Sequence, residues 1–198
     1  MGRHVEADLH RDRIMILTLA LCLSVMAAAA AASPQKNNGN SVDLDIMEMV
    51  KVNETLVVYK RKHDNYVFFR CHSMNKTATK NETLYEYTLR ARQAFATGSD
   101  YVTQKVQVTL LRLTEGKGYK ATYTDLNGIN YTLTLKAMET SGACFVIFAA
   151  KSDNKSGCEL LVPLSKINHS IPEVCEKYYA KKCRQKSLTL RKHYCIYS

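Results

Sequence analysis

Tyr119-Lys120-Ala121-Thr122-Tyr123-Thr124-Asp125 and Asn130-Tyr131-Thr132-Leu133-Thr134-Leu135, joined through Leu126-Asn127-Gly128-Ile129, decide the fold. Both flanks alternate between apolar or aromatic residues and Thr or Lys, the two-residue period of a strand with one face buried. Asn-Gly between two such runs is a strong hairpin signal, because both residues tolerate the positive φ that a tight turn demands. Asn130 opens an Asn-x-Thr sequon; a glycan there would point to solvent, so Tyr131, Leu133 and Leu135 point inward and Thr132 and Thr134 outward. In the partner strand Tyr119, Ala121 and Tyr123 share the inward face.

Working outward, the same texture runs through most of the chain. Short Val-, Thr-, Tyr-, Phe- and Leu-rich runs at 55–61, 66–73, 83–90, 102–113, 119–125, 130–138, 144–150 and 159–164 are separated by turn residues. Eight strands joined in order by short turns predict an all-β, antiparallel, up-and-down barrel. Before it, Leu44, Ile46, Met47 and Val50 recur at helical spacing and predict a short N-terminal helix. After it, Ser170-Ile171-Pro172-Glu173 reads as an N-cap with a capping box, opening a helix to about Lys182. Cys175, Tyr179 and Cys183 then fall on one helical face, which packs this helix on the outside of the barrel. The tail from Leu188 is basic and β-prone.

The first segment differs from all this. Arg11 and Arg13 precede an apolar run at 14–32 that ends in small residues, the pattern of a secretory signal peptide over 1–32. Residues 33–41, rich in Asn, Pro, Gly and Ser, read as a flexible linker, and 42–198 as a single domain. Cleavage would leave a secreted chain with no membrane segment. It would also remove Cys22, leaving Cys71, Cys144, Cys158, Cys175, Cys183 and Cys195, an even set that implies a disulfide framework with its pairing open. No close Cys/His pairs suggest zinc. Asn53, Asn75, Asn81, Asn130, Asn154 and Asn168 all head N-x-S/T sequons.

The formal net charge is +10. Such a charge suits nucleic acid, but the expected secreted location argues against it and leaves anionic ligands, acidic surfaces or sulfated glycans; Lys181, Lys182, Arg184, Lys186 and Arg191 concentrate the charge near the C-terminus. No Ser/His/Asp, Cys/His or phosphate-loop pattern appears, so neither an enzyme nor a cofactor is expected.

Together, Phe68-Phe69-Arg70-Cys71, Gly142-Ala143-Cys144-Phe145-Val146-Ile147, Cys158-Glu159-Leu160-Leu161-Val162 and Ile171-Pro172-Glu173-Val174-Cys175, with Tyr178 and Cys183, resemble the tick salivary lipocalins, which include the histamine-binding proteins. The resemblance implies a lipocalin-type barrel and the disulfides Cys71–Cys195, Cys144–Cys175 and, for the remaining two cysteines, Cys158–Cys183. It also implies a non-catalytic role: sequestering a small host inflammatory mediator, thereby helping to evade the host immune response.

A buried ammonium needs carboxylates and gains from aromatic walls. Glu159 is the expected counter-ion for histamine or serotonin, Tyr123 and Tyr131 the walls, and Asp64 a second carboxylate. The family's amine signature, however, has Cys-Asp where this chain has Cys144-Phe145, and Glu-Leu-Trp or Glu-Leu-Tyr where it has Glu159-Leu160-Leu161. An acidic position early in the fourth strand is here Gln104 or Lys105. A lipid acid such as a leukotriene or fatty acid is therefore the alternative, with Lys105 and Arg90 as candidate cations. A third reading is an inhibitor that binds a host complement or clotting protein.

Overall fold

The computed structural model describes residues 42–63, 68–93, 100–114, 117–184 and 186–197. The expected signal peptide and linker, and Asp64, lie outside these residues. The elements are α1 (Met47–Val50), β1 (Leu56–Arg61), β2 (Phe69–Asn81), β3 (Leu84–Gln93), β4 (Tyr101–Arg112), β5 (Tyr119–Thr124), β6 (Asn130–Met138), β7 (Phe145–Lys151), β8 (Ser156–Pro163), α2 (Glu173–Lys182) and β9 (Leu188–Thr189), with a 3-10 turn at Leu164–Lys166. The sheet runs β2-β3-β4-β5-β6-β7-β8-β1-β9, and an additional β1–β2 pairing returns it on itself. Strands β1 to β8 thus form the expected closed antiparallel barrel.

The hairpin that decides the fold is in place. Tyr123 pairs with Tyr131 and Ala121 with Leu133, and Gly128 takes φ 76°. Ala121, Leu133 and Leu135 are buried in the barrel core with Val106, Val108, Leu110, Phe145, Ile147 and Leu161. The simple alternation ends after Leu135, where the ladder slips. Met138 returns to the barrel core, while Ala137 joins a second cluster beneath α2. One extra residue in a strand reverses which side chains face in.

β2 and β3 extend further than their apolar runs. Their pairing continues to Asn81 and Leu84, through a segment whose Asn75, Thr77, Thr79 and Lys80 are exposed. Polar residues on a solvated hairpin carry no burial signal, so the sequence pattern ends too early at Ser73.

α1 plugs one end of the barrel. Leu44 N donates to Leu135 O at 2.9 Å and Ile46 N to Tyr119 O at 3.0 Å, seating Ile46, Met49 and Val50 in the core. Asp45 Oδ1 accepts from Met47 N and from Tyr119 N, each at 3.0 Å, and so ties the plug to the start of β5.

α2 lies outside. Cys175, Tyr179 and Cys183 form its buried face, against Ala137, Cys144, Val146, Cys158 and Leu160, and Cys144–Cys175 and Cys158–Cys183 staple it there. The helix begins later than its capping signal. Pro172 occupies the N-cap with no side-chain hydrogen bond, so Ser170 and Glu173 do not form the expected box. Proline already supplies the entry geometry of a first turn and has no N–H to satisfy.

The tail closes the remaining seam. β1 pairs with β2 only at Leu56 and Val57; further along, Lys60 and Arg61 pair instead with Thr189 and Leu188. Leu190 bridges the gap, donating to Tyr59 O and accepting from Cys71 N, both at 3.0 Å, with its side chain fully buried in the barrel core. Cys71–Cys195 fastens this wedge.

Candidate functional site

The end opposite α1 carries the β5–β6 and β7–β8 connections, and the interior turns polar there. Glu159 stands near the start of β8. It pairs with Ile147 on β7 and Arg61 on β1, and directly paired residues share a face. Ile147 belongs to the barrel core, so Glu159 and Arg61 face the interior as well. Arg61 arrives there because β1 slips between Val58 and Lys60; without that bulge its parity would be wrong.

Glu159 has a partner. His63 Nε2 lies 2.6 Å from Glu159 Oε1, the histidine side chain 4% exposed and the glutamate 16%. Burial pushes the carboxyl up, but the hydrogen bond from His63 and the charges of His63, Arg61 and His72 outweigh it and hold the group below its ordinary value. His72, on β2, is held down to about 4, first by burial and then by the charge of Arg61, so its ring stays neutral near neutral pH. The buried atoms His63 Nδ1 and His72 Nε2 have no hydrogen-bond partner among the described residues.

Tyr123 and Tyr131 stack face to face, ring centroids 4.6 Å apart and planes within 8°. Such a pair contributes about 0.5–1.5 kcal/mol beyond area burial. Burial raises both phenols, and the Glu159 carboxylate adds to the rise in each. Its charge therefore reaches the tyrosine stack. Lys151 Nζ sits 5.3 Å from the Tyr131 centroid and 3.4 Å from Asp153.

Three of the four expected site residues, Glu159, Tyr123 and Tyr131, thus belong to one interior region, and the fourth, Asp64, lies outside the described residues. The two expected cations do not join them. Lys105 is 75% exposed, 3.9 Å from Glu86. Arg90 lies over the Tyr101 ring and reaches the tail carbonyl of Ile196. The cationic and imidazole groups that act on Glu159, namely Arg61, His63 and His72, are ones the sequence pattern passed over. The signal that reaches them is the rule that a buried carboxylate needs a partner, applied to the strand neighbouring β8 once the barrel is closed.

The model of the tick histamine binding protein family matches residues 36–197. The chain belongs to this family. As a tick histamine binding protein family member it is a small-molecule-binding lipocalin, and the barrel, the external helix and the three disulfides expected from the resemblance are all present. Among solved structures it is similar to Japanin from Rhipicephalus appendiculatus bound to cholesterol, with a TM-score of 0.52 and 13% identity, covering 73% of this chain and 96% of that one. At that identity the likeness is one of fold. Among curated proteins, nothing matches this family member.

Proposed function

We propose that this protein is a secreted salivary lipocalin that sequesters a small lipid mediator, one with an acidic or hydroxyl headgroup, and so dampens the host's inflammatory response. The observation that carries the reading is the company Glu159 keeps. Its carboxylate is already engaged by His63 at 2.6 Å and faces Arg61 across the ladder. An incoming ammonium would have to displace those partners and be desolvated as well. A lipid needs only an apolar barrel and a few polar groups near one end. Val106, Val108, Leu110, Phe145 and Ile147 supply the first; Arg61 and the imidazole nitrogens of His63 and His72 that have no hydrogen-bond partner among the described residues supply the second. Cholesterol bound to Japanin is a precedent for a lipid in this fold. The six sequon asparagines, all exposed, agree with a secreted glycoprotein.

A biogenic amine is the second reading. The Tyr123–Tyr131 stack within reach of the Glu159 charge is the specific feature that favours it, with Asp64 as the further carboxylate.

Calorimetric titration of the secreted protein with arachidonic acid, cholesterol and histamine separates the two. The lipid reading expects stoichiometric binding of a lipid, weakened for the acid by Arg61→Gln, and no heat from histamine. Tight histamine binding that Glu159→Gln abolishes would overturn it in favour of the amine.

A further inference from the structure

A concavity lies outside the barrel, between the outer faces of β7 and β8 and the C-terminal end of α2. It has a volume of about 240 Å³, and Lys62, Lys136, Lys182 and Arg184 line it around Phe148 and Tyr178. Among the described residues no carboxylate lines it. Elsewhere on the surface Lys51 is paired with Glu48 and Lys177 with Glu173; of the groove's four cations only Lys136 is paired with a carboxylate among the described residues, that of Asp43.

The cations differ in how firmly they are held. Lys62 Nζ donates to Tyr179 O at 3.1 Å and Cys183 O at 2.6 Å, carbonyls at the end of α2. Burial, and then the charge of Lys60, push its ammonium below the ordinary lysine value; a nearby anion would favour its charged form. Lys136 is bonded to Asp43 and lies over the Phe148 ring. Both are fixed parts of the wall. Lys182 and Arg184 are exposed at the rim, and the Cys158–Cys183 disulfide beneath them limits how far the rim can move. The fixed Lys62 ammonium, with Lys136 beside it already paired to Asp43, under the exposed Lys182 ammonium and Arg184 guanidinium, suits an oxyanion with several acceptor oxygens, since the guanidinium presents a planar fork of donors.

We propose that this groove binds a sulfate group of a sulfated glycan, a site separate from the barrel interior. The exposed Lys181 and Lys186 beside it would extend the contact to neighbouring sulfates along a chain, whereas a free inorganic ion would use the groove alone.

The test is calorimetric titration of the secreted protein, stripped of its own N-glycans, with a heparin-derived hexasaccharide, its desulfated counterpart and sodium sulfate, at several salt concentrations. The sulfated sugar is expected to bind and the desulfated one not. Lys182→Gln with Arg184→Gln is expected to weaken binding about tenfold and to reduce the salt slope by about two, the counterion-release result for two lost contacts. Lys80→Gln with Lys166→Gln, the same loss of charge at exposed positions elsewhere, is expected to change neither. Equal weakening by both double variants, no binding of the sulfated sugar, or sodium sulfate binding as tightly as the hexasaccharide would each overturn the proposal.

Discussion

His63 and Glu159 are joined by a 2.6 Å contact between a side chain 4% exposed and one 16% exposed, each the other's main compensation for burial. Removing one leaves the other uncompensated, the costly way to break a buried pair. Glu159→Ala is expected to lower stability by about 2–4 kcal/mol, and Glu159→Gln, which keeps an acceptor, by about 1 kcal/mol. Urea unfolding of the three proteins at neutral pH checks the order. Equal stability of wild type and Glu159→Ala would mean that the contact carries no net energy.

His72 sets a distinct pH dependence. Its folded value of about 4 lies below the ordinary 6.5, so between those values the unfolded chain binds the extra proton. Stability therefore falls as pH drops through that window, by about 2 kcal/mol between about pH 7 and about pH 5. Glu159, whose folded value is lowered below 4.5, holds its contribution until more acidic pH and then loses it as pH falls further. His72→Gln should flatten the pH 7 to 5 segment of the stability profile. A variant with the wild-type slope there would assign the loss to another group.

Gly118 stands at φ +123° beside Asp45, and an added Cβ would come within 2.7 Å of the Asp45 Cβ. Both the backbone angle and the space refuse a side chain. Gly118→Ala is expected to push Asp45 off Met47 N and Tyr119 N and loosen the α1 plug, at about 2–4 kcal/mol. Asp45→Ala, which removes the same two bonds without the clash, should cost less. Thermal unfolding of both variants gives the comparison.

Cys71 and Cys195 are 124 residues apart, a long loop whose closure constrains the unfolded chain. Replacing both by Ser should cost about 2–4 kcal/mol. It should also free the tail, so that limited trypsin cuts at Arg191 or Lys192 before any site in the barrel. Cleavage at the wild-type rate would show that Leu190 holds the tail without the bond.

Much of this was legible in the residues. Asn127-Gly128 and the alternation around it fixed the β5–β6 hairpin and the inward faces of Tyr123, Tyr131, Leu133 and Leu135, because turn chemistry and strand period are local properties. Ala137, Arg61 and the far half of β2 were not. The first two depend on ladder slips that only the neighbouring strand defines, and the third is a polar ribbon with no burial to mark it. Glu159 was readable as an interior acid, yet its partners His63 and Arg61 come from β1 and the segment after it, nearly a hundred positions away in the chain. Ser170 misled for the opposite reason: its motif is local and strong, but Pro172 made the cap unnecessary.

The wedge at Leu190 has a consequence for synthesis. β1 is made before the other strands, yet its long edges are completed only by β8 and by residues 188–190, which follow far later in the chain. Until they emerge, β1 is an open edge except where Leu56 and Val57 can pair with β2, and Cys71 is a thiol without its mate, while the β2–β6 meander can form from neighbouring strands. Strand formation and sealing of the seam are therefore separable: a product truncated before Leu188 would keep β1 to β8 and lack the segment that fills the gap between β1 and β2.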